Sequence, residues 1–302
     1  MKQRKEKRNL FSYEVWIGGN IKAAIFSMCL LSFSFIFCDV PVLSDQEWQI
    51  EDVIYPVDFD VMTDRYFCLD SAGNLHCACG YERLFYYVME NGRWHEVLVD
   101  GTLRTGMHAS LALDTQNTPH IAYHDEMAGT LRYAKKSGDM FEIEIVDDNG
   151  VCGQYTSIAI VPGGGVHIVY KGPESLRHAV CSGDHWTIGS PWLGQAAYIS
   201  VQPDPAGNLH LCFQDSVNGD LIYGYYDGSS WSFETVDNSE DAGKYSSIIL
   251  DDTGIPHVAY SANGSLYYAV RNLDNWEIQR ADWDDGEWLS ITLDAENLPV
   301  IS

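Results

Sequence analysis

A repeat of about 45 residues fills nearly all of the chain after residue 48. One copy runs from Ser110 to Asp147 and another from Ser247 to Asp282. In both copies Pro-His-[Ile/Val]-Ala-Tyr is followed by Gly-x-Leu-x-Tyr-Ala and then by an aromatic residue six places before an Asp. A period of this length built only of short strands is typical of a propeller or another repeat array. Most residues that recur in such a unit build the repeat itself, so the pattern indicates architecture more strongly than function.

Four strand signals recur in each repeat, and each combines β-branched or aromatic residues with Gly, Asn, Asp or Pro at its borders. The markers are Phe67, Leu111, Ile158, Ile199, Ile248 and Ile291 for the first strand; His76, His120, His167, His210, His257 and Val300 for the second; Leu84, Leu131, Leu176, Leu221 and Leu266 for the third; and Trp48, Trp94, Phe141, Trp186, Trp231 and Trp276 for the fourth. No segment after residue 45 shows a helical period.

The strand count predicts an all-β fold, a six-bladed β-propeller with four-stranded antiparallel blades. The links from each fourth strand to the next first strand, such as Asp100 to Ser110, are long enough to return across a sheet. Eight extended residues reach roughly 26 Å, whereas four strands span roughly 14 Å. Trp48 to Val53 reads as a fourth strand, and Leu289 to Ser302 as a first and a second strand. We therefore expect an incomplete last blade closed by both chain ends; a C-terminally truncated chain would give the same count.

The N-terminus differs from the rest of the chain. Residues 1–22 hold six of the eighteen basic residues, and Ala23 to Phe37 is an uncharged run of fifteen. This length suits the apolar region of a signal peptide and is short for a membrane span. We expect residues 1–44 to be a signal peptide or membrane leader, residues 45–302 to be a single propeller domain, and the protein to be secreted or held in the cell envelope. Cleavage before Asp45 and a lipoprotein modified at Cys38 remain alternatives.

The formal net charge of −25 argues against nucleic acid and against anionic membrane as partners, because such surfaces attract Lys and Arg. We expect a monomer with no membrane contact beyond the leader. Cys68 and Cys77 flank a predicted hairpin turn, so a disulfide between them is one option. No zinc, calcium, phosphate-loop or nucleophile-elbow signature is found in the sequence. We therefore assign no metal, no cofactor and no catalytic residue.

The repeat D-x-x-G-x-P-H-[IV]-A-Y, followed by G-x-L-x-Y-A and W-x-x-x-x-V-D, resembles the repeats of exported bacterial six-bladed β-propellers that are loosely called sialidase-like. The resemblance covers about 250 residues and implies the fold. The S-x-D-x-G-x-x-W boxes and the arginine triad of sialidases are missing, so it does not imply sialidase chemistry. The hairpin Leu209-His-Leu-Cys-Phe-Gln-Asp215, followed by Tyr226-Asp-Gly-Ser-Ser-Trp231, also resembles those of six-bladed fucose-binding lectins. Ile121 and Tyr133 stand where those lectins place a sugar-binding Arg and Glu.

Candidate binding residues lie where long loops would meet at one face of the ring, since loops on a rigid scaffold concentrate function. The second-strand histidines and fourth-strand aromatics recur in every repeat and are interpreted as structural. The positions just before each first strand are read as Asp64, His108, Tyr155, Ala196, Tyr245 and Trp288. The predicted ligand-binding residues are His108, Tyr155, Tyr245, Trp288, His124, Asp125, Gln214 and Asp215.

The leading functional hypothesis is an exported, non-catalytic binding module for a carbohydrate or a surface protein. Aromatic side chains with scattered Asp, Gln and His suit the faces and hydroxyls of sugars. The alternative is a polysaccharide-acting hydrolase or lyase that uses His108, His124, Asp125 and Tyr155. A purely structural role at the cell surface is a third hypothesis.

Overall fold

The computed structural model describes residues 65–183, 185–273, 275–283, 286–294 and 296–302, and the backbone of two short strands nearer the N-terminus. Five four-stranded antiparallel sheets follow one another along the chain, each made of consecutive strands, and a two-stranded sheet follows them. Within the described ranges there is no α-helix, so no helix could span a membrane there. The prediction of an all-β chain of four-stranded units is confirmed for these residues.

The strands are β1 (Glu14–Val15), β2 (Gln49–Ile50), β3 (Phe67–Leu69), β4 (Leu75–Cys79), β5 (Leu84–Glu90), β6 (Arg93–Asp100), β7 (Thr105–Leu113), β8 (Pro119–Asp125), β9 (Thr130–Ser137), β10 (Met140–Asp147), β11 (Gln154–Ile160), β12 (Val166–Lys171), β13 (Ser175–Ser182), β14 (His185–Leu193), β15 (Ala196–Pro203), β16 (Leu209–Asp215), β17 (Asp220–Tyr226), β18 (Trp231–Asp237), β19 (Lys244–Leu250), β20 (Pro256–Ala262), β21 (Ser265–Asn272), β22 (Asn275–Arg280), β23 (Ile291–Leu293) and β24 (Pro299–Ile301). We number the sheets 1 (β3–β6), 2 (β7–β10), 3 (β11–β14), 4 (β15–β18), 5 (β19–β22) and 6 (β23–β24).

The first strands of successive sheets lie beside one another. A serine on each strand accepts a hydrogen bond from the backbone of the next, which joins sheets 2 to 6 in order. The donor and acceptor pairs are Ile158 N–H to Ser110 Oγ at 3.0 Å, Val201 to Ser157 at 3.0 Å, Ile248 to Ser200 at 3.2 Å and Ile291 to Ser247 at 3.3 Å. Sheet 1 joins this series through the Leu111 N–H, which donates to the Arg65 carbonyl at 2.7 Å.

Arg65 shows that these strands surround a common space. Its guanidinium donates to Gln202 Oε1 in sheet 4 at 2.6 Å and to the Ile248 carbonyl in sheet 5 at 3.0 Å. The residue preceding sheet 1 therefore reaches the fourth and fifth sheets, as expected when sheets are arranged around an axis.

The hydrophobic core lies between the faces of successive sheets. One buried cluster joins sheets 1 and 2 and includes Tyr86 and Ile121, and the following clusters join sheets 2 and 3, 3 and 4, 4 and 5, and 5 and 6. Burial of these faces against one another is the main favourable contribution to folding.

Outside sheet 3, each turn between the first and second strands is built on an aspartate whose Oδ1 accepts backbone N–H groups two and four residues later, as Asx-type turns do. These aspartates are Asp70, Asp114, Asp204, Asp251 and Asp294. Except in Asp294, the other carboxylate oxygen faces the Nε2 of the second-strand histidine. The histidine Nδ1 is hydrogen-bonded to a third-strand tyrosine hydroxyl: His76–Tyr86 at 2.5 Å, His120–Tyr133 at 2.5 Å, His210–Tyr223 at 2.7 Å and His257–Tyr268 at 2.6 Å. This confirms the structural interpretation of the repeated histidines.

Four of the predicted fourth-strand aromatics, those of sheets 2 to 5, pack between sheets. Each one contacts a third-strand ring of the preceding sheet at the following centroid distances: Phe141–Tyr86 5.4 Å, Trp186–Tyr133 5.1 Å, Trp231–His178 5.3 Å and Trp276–Tyr223 5.1 Å. The aspartate that ends a fourth strand accepts the hydroxyl of a second-strand tyrosine in the next sheet: Tyr123–Asp100 2.8 Å, Tyr170–Asp147 2.7 Å and Tyr260–Asp237 2.6 Å.

Several sequence predictions fall on residues outside the described ranges. These include residues 1–13, 16–48 and 51–64, and therefore the apolar part of the predicted leader, Trp48 and Asp64. The strand predicted at Trp48 to Val53 is represented by Gln49–Ile50, which pairs with Glu14–Val15 and not with sheet 6. Closure of the last sheet by both chain ends stays a prediction.

Cys68 and Cys77 are free thiols. Cys68 lies opposite His76, and Cys77 lies opposite Phe67, so the hairpin register does not place the two thiols face to face. Cys77 and Cys79 project to one face, as strand alternation predicts, and their Sγ atoms are 3.7 Å apart.

Sheet 3 departs from the Asp-His-Tyr pattern, because Val161 replaces the aspartate and His178 replaces the tyrosine. His178 Nε2 and His167 Nδ1 are 2.9 Å apart, and the Trp231 indole N–H donates to His178 Nδ1 at 3.1 Å. Since an indole only donates, Nε2 of His178 carries the proton and donates to His167. Burial lowers the pKa of His167 to about 4 and, together with the His167 imidazole, that of His178 to about 3.

This pair should make the protein less stable in mild acid. Both pKa values are lowered by folding, so the unfolded chain takes up protons as the pH falls below about 6.5 while the folded pair stays neutral. The stabilisation is complete above that pH and is lost towards the folded pKa of about 4 for His167. The variant His178→Tyr restores the tyrosine of the other sheets. Between pH 6.5 and 4 it should lose about 1–3 kcal/mol less unfolding free energy than the wild-type protein.

Urea denaturation across this pH range measures the effect. The control is His185→Tyr on the same sheet, since His185 is exposed. If His178→Tyr and wild type lose stability with the same slope, the interpretation of the pair is wrong.

Candidate functional site

Five rings form a continuous row across the first strands of sheets 2 to 6, which we call the ring ladder: His108, Tyr155, Tyr198, Tyr245 and Trp288. The successive centroid distances are 4.7 Å for His108–Tyr155, 5.2 Å for Tyr155–Tyr198, 4.7 Å for Tyr198–Tyr245 and 5.1 Å for Tyr245–Trp288. All five side chains are partly exposed. The structure thus brings together the four ring residues predicted from the sequence and adds a fifth.

The ladder residues share an uncommon backbone conformation. The first four each lie two residues before a serine that joins the first strands, and Trp288 lies two residues before Ser290. The five φ angles, in order along the chain, are 52°, 50°, 52°, 51° and 60°. The first-strand register shifts beside His108, Tyr155, Tyr198 and Tyr245. Such a bulge re-aims a side chain that would otherwise follow the strand alternation. It turns the rings of successive sheets towards one another.

The residue types at these positions are informative because the backbone alone would favour others. Glycine and asparagine adopt positive φ most readily, whereas bulky side chains pay a steric cost there. The repeated fold explains why the bulge recurs in successive sheets. It does not explain why a large ring occupies the bulge each time. Backbone strain of this kind concentrates at functional sites, which makes the ladder the leading candidate.

Tyr198 was missed by the sequence analysis, and Ala196 was wrongly taken as its counterpart. Ala196 is fully buried at the start of β15. The error arose from matching Ile199 with Leu111, whereas Ser200 pairs with Cys212 as Ser110 pairs with Ala122. The recurring serines were the signal that would have placed Tyr198 correctly.

Tyr155 and Tyr245 are hydroxyl donors at neutral pH. Burial raises the pKa of Tyr155 and of Tyr245, and the nearby Tyr198 hydroxyl raises both further. Neutral phenols that lie side by side can offer hydrogen bonds to a ligand's hydroxyl groups without acting as nucleophiles.

His108 begins the ladder and is held neutral. Burial lowers its pKa to about 3, and the His124 imidazole and Lys171 ammonium add to the effect. Its Nδ1 is buried and has no hydrogen-bond partner within the described part of the chain. Lys171 lies over the neighbouring ring, with Nζ 5.9 Å from the Tyr155 centroid.

His124 and Gln214 lie beside the ladder at the ends of their second strands, and both are buried. His124 Nδ1 donates to the Cys152 carbonyl at 2.8 Å, and Gln214 Nε2 donates to the Ala242 carbonyl at 3.1 Å. These bonds hold the links that lead into Tyr155 and Tyr245. Burial lowers the pKa of His124.

Asp125 and Asp215 point away from the ladder into the turns that follow them, and they are 1% and 4% exposed. Asp125 accepts the Ala128 N–H at 3.0 Å and is ion-paired with Arg132. Asp215 accepts the Val217 N–H at 3.0 Å and the Asn218 side-chain amide at 2.8 Å. These contacts account for both carboxylates structurally; ligand binding by Asp125, Asp215, His124 and Gln214 stays a prediction.

The links and turns at the ladder's end of the sheets expose apolar side chains, namely Leu103, Met127, Val151, Leu193 and Val217.

No protein-family model and no curated protein matches this chain. Among solved structures it is similar to a mutant of AofleA from Arthrobotrys oligospora, with 15% identity, 84% of this chain and 79% of that chain covered, and a TM-score of 0.54. It is also similar to a PL25 ulvan lyase bound to -[GlcA(1-4)Rha3S]-, with 11% identity, 78% and 75% coverage and a TM-score of 0.57. A third is the Hadza microbial sialidase Hz136, with 12% identity, 77% and 61% coverage and a TM-score of 0.52. At these identities the similarity shows a propeller-type all-β fold.

Proposed function

We propose that this protein binds carbohydrate and that the ring ladder is its binding surface. The observation that carries the proposal is the unbroken row of five partly exposed rings, each in a backbone conformation that does not call for a ring. Aromatic faces pack against the apolar faces of sugar rings, and tyrosine hydroxyls can bond to sugar hydroxyls. The row suits an extended sugar chain better than a protein surface, the other ligand considered.

We also propose that the sheets form a six-bladed ring, with the last blade completed by Trp48 to Val53, and that the protein is exported. The Arg65 contacts to sheets 4 and 5 support a ring.

The basic segment and fifteen-residue apolar run support a leader in residues 1–44. A mature N-terminus near Asp45 on protein recovered outside the cytoplasm would support export, and retention of the full-length chain in the cytoplasm would refute it.

Titration properties favour binding without catalysis. A general acid or base works best with a pKa near the operating pH. Burial moves the pKa of His108 to about 3, lowers that of His124 and raises that of Tyr155. Asp125, the fourth residue of the enzymatic hypothesis, is ion-paired with Arg132.

A polysaccharide-acting lyase or hydrolase is the second candidate function. It is favoured by the unpartnered Nδ1 of His108, which lies beside Tyr155 in the ladder. The similar structures include an ulvan lyase and a sialidase. Their similarity to this chain is consistent with either candidate function.

A glycan array followed by incubation of each bound glycan with the protein tests both candidates. We expect binding of at least one glycan class and recovery of that glycan at its original length by mass spectrometry. Shortened or unsaturated products that vanish in His108→Ala would establish the enzymatic candidate instead. Failure to bind any glycan would refute the proposed function.

A further inference from the structure

Lys171 differs from the residues at the equivalent position of the other sheets, which lies next to the ladder at the end of the second strand. It ends the second strand of sheet 3 and pairs with Leu176, as His124, Gln214 and Ser261 pair with the leucines that open their third strands. The equivalent positions of the other sheets carry uncharged or imidazole side chains. Only sheet 3, among the described sheets, places an ammonium group here.

The ammonium group of Lys171 has no acidic partner within ion-pair distance among the described residues. It is partly buried, and its Nζ lies 5.9 Å from the Tyr155 ring centroid. Lys244, beside the same row, differs because it is ion-paired with Asp241. In a chain with a formal net charge of −25, acidic partners are plentiful, so an unpaired and partly buried lysine calls for an explanation.

The two ends of the ladder therefore differ in charge. Lys171 lies at the His108–Tyr155 end, where its charge reaches the His108 ring. Glu287 lies close enough to Tyr245 at the other end to raise the pKa of that tyrosine. An extended ligand with an anionic group at one end would meet attraction at Lys171 and repulsion near Glu287.

Resting on the proposed function, we propose that the ligand is an acidic glycan and that Lys171 binds its anionic group while the ladder rings pack against the sugar rings. A uronate carboxylate and a sulfate ester both present oxygens that accept hydrogen bonds from an ammonium. Lys171 would then select acidic over neutral sugars and fix the direction in which the chain lies along the ladder.

Matched probe pairs distinguish the two sources of the anion. Oligogalacturonate is compared with its methyl ester for the carboxylate, and chondroitin sulfate oligosaccharide with its desulfated form for the sulfate. Calorimetry with the full chain measures each affinity for wild type, Lys171→Met and Lys135→Met. Lys135 is the matched control, because it is an exposed lysine at the opposite end of its sheet and its loss changes the net charge equally.

We expect wild type to prefer the charged member of at least one pair, and Lys171→Met to weaken that binding about tenfold or more. Binding of the uncharged member should be unchanged in Lys171→Met, and Lys135→Met should behave as wild type. Equal binding of charged and uncharged probes, or equal losses in both lysine variants, would overturn the role of Lys171 but leave carbohydrate binding intact. Absence of binding to all four probes would count against both proposals.

Discussion

Asp147→Ala should lower the free energy of unfolding by about 3–5 kcal/mol, the cost of leaving a buried charge without its partner. Asp147 ends the fourth strand of sheet 2 and is 5% exposed. It accepts the Tyr170 hydroxyl at 2.7 Å and the Asn149 N–H at 3.0 Å, and it is ion-paired with Arg177. Burial alone would raise its pKa, but these donors hold the pKa below its ordinary value, so the group is a carboxylate. Its removal leaves the partly buried Arg177 guanidinium without its carboxylate and the buried Tyr170 hydroxyl without its acceptor, at the junction of sheets 2 and 3.

Asp237→Ala is the matched control, since Asp237 ends the fourth strand of sheet 4 in the same way. It accepts the Tyr260 hydroxyl at 2.6 Å, but Tyr267 stands where sheet 3 has Arg177. Because Asp237→Ala leaves no cation without its partner, we expect a smaller loss of unfolding free energy, about 1–2 kcal/mol. Urea denaturation at pH 7 measures both variants. Equal losses would show that the arginine is not what makes Asp147 costly to remove.

Trp288→Ala and Tyr155→Ala should each weaken glycan binding by about 1–3 kcal/mol, or roughly five- to 150-fold, as removal of a stacked aromatic does. Both rings are partly exposed members of the ladder. Neither belongs to the buried clusters between sheets, although Tyr155 packs against the edge of one. The melting temperature should therefore change little, since alanine keeps the Cβ and so leaves the backbone strain at these positive φ angles as it was. Calorimetric titration with the glycan found on the array measures the affinity.

Trp283→Ala provides the control for this pair. Trp283 is 74% exposed, lies five residues before Trp288 and packs against Arg280 outside the ladder. Its replacement should leave binding unchanged. If instead Trp288→Ala and Tyr155→Ala lower the melting temperature and leave binding intact, the ladder is a packing element and the binding site lies elsewhere.

The sequence by itself determined the strands, their order and the structural role of the repeated residues. Period-two alternation and turn chemistry act over a few residues, so local signals sufficed for the hairpin at Asp114 and for the strand carrying His120. The packing role of Trp186 was also predicted from its recurrence, since a residue type that recurs in successive repeats contributes to the packing that all repeats share. His108, Tyr155, Tyr245 and Trp288 were predicted to lie together for a related reason: equivalent positions in successive repeats converge.

Only the tertiary structure decided what the remaining polar residues do. Asp125 and Asp215 break the repeat in sequence, as a ligand-binding residue would, yet each bonds to its own turn. In the sequence Tyr198 was matched with Ser110, whereas the strand pairing aligns Ser200 with Ser110 and so places Tyr198 in the ladder. Lys171 became informative only when its surroundings were known. Whether an ammonium has an acidic neighbour depends on links from other sheets, and no spacing within one repeat encodes those distances.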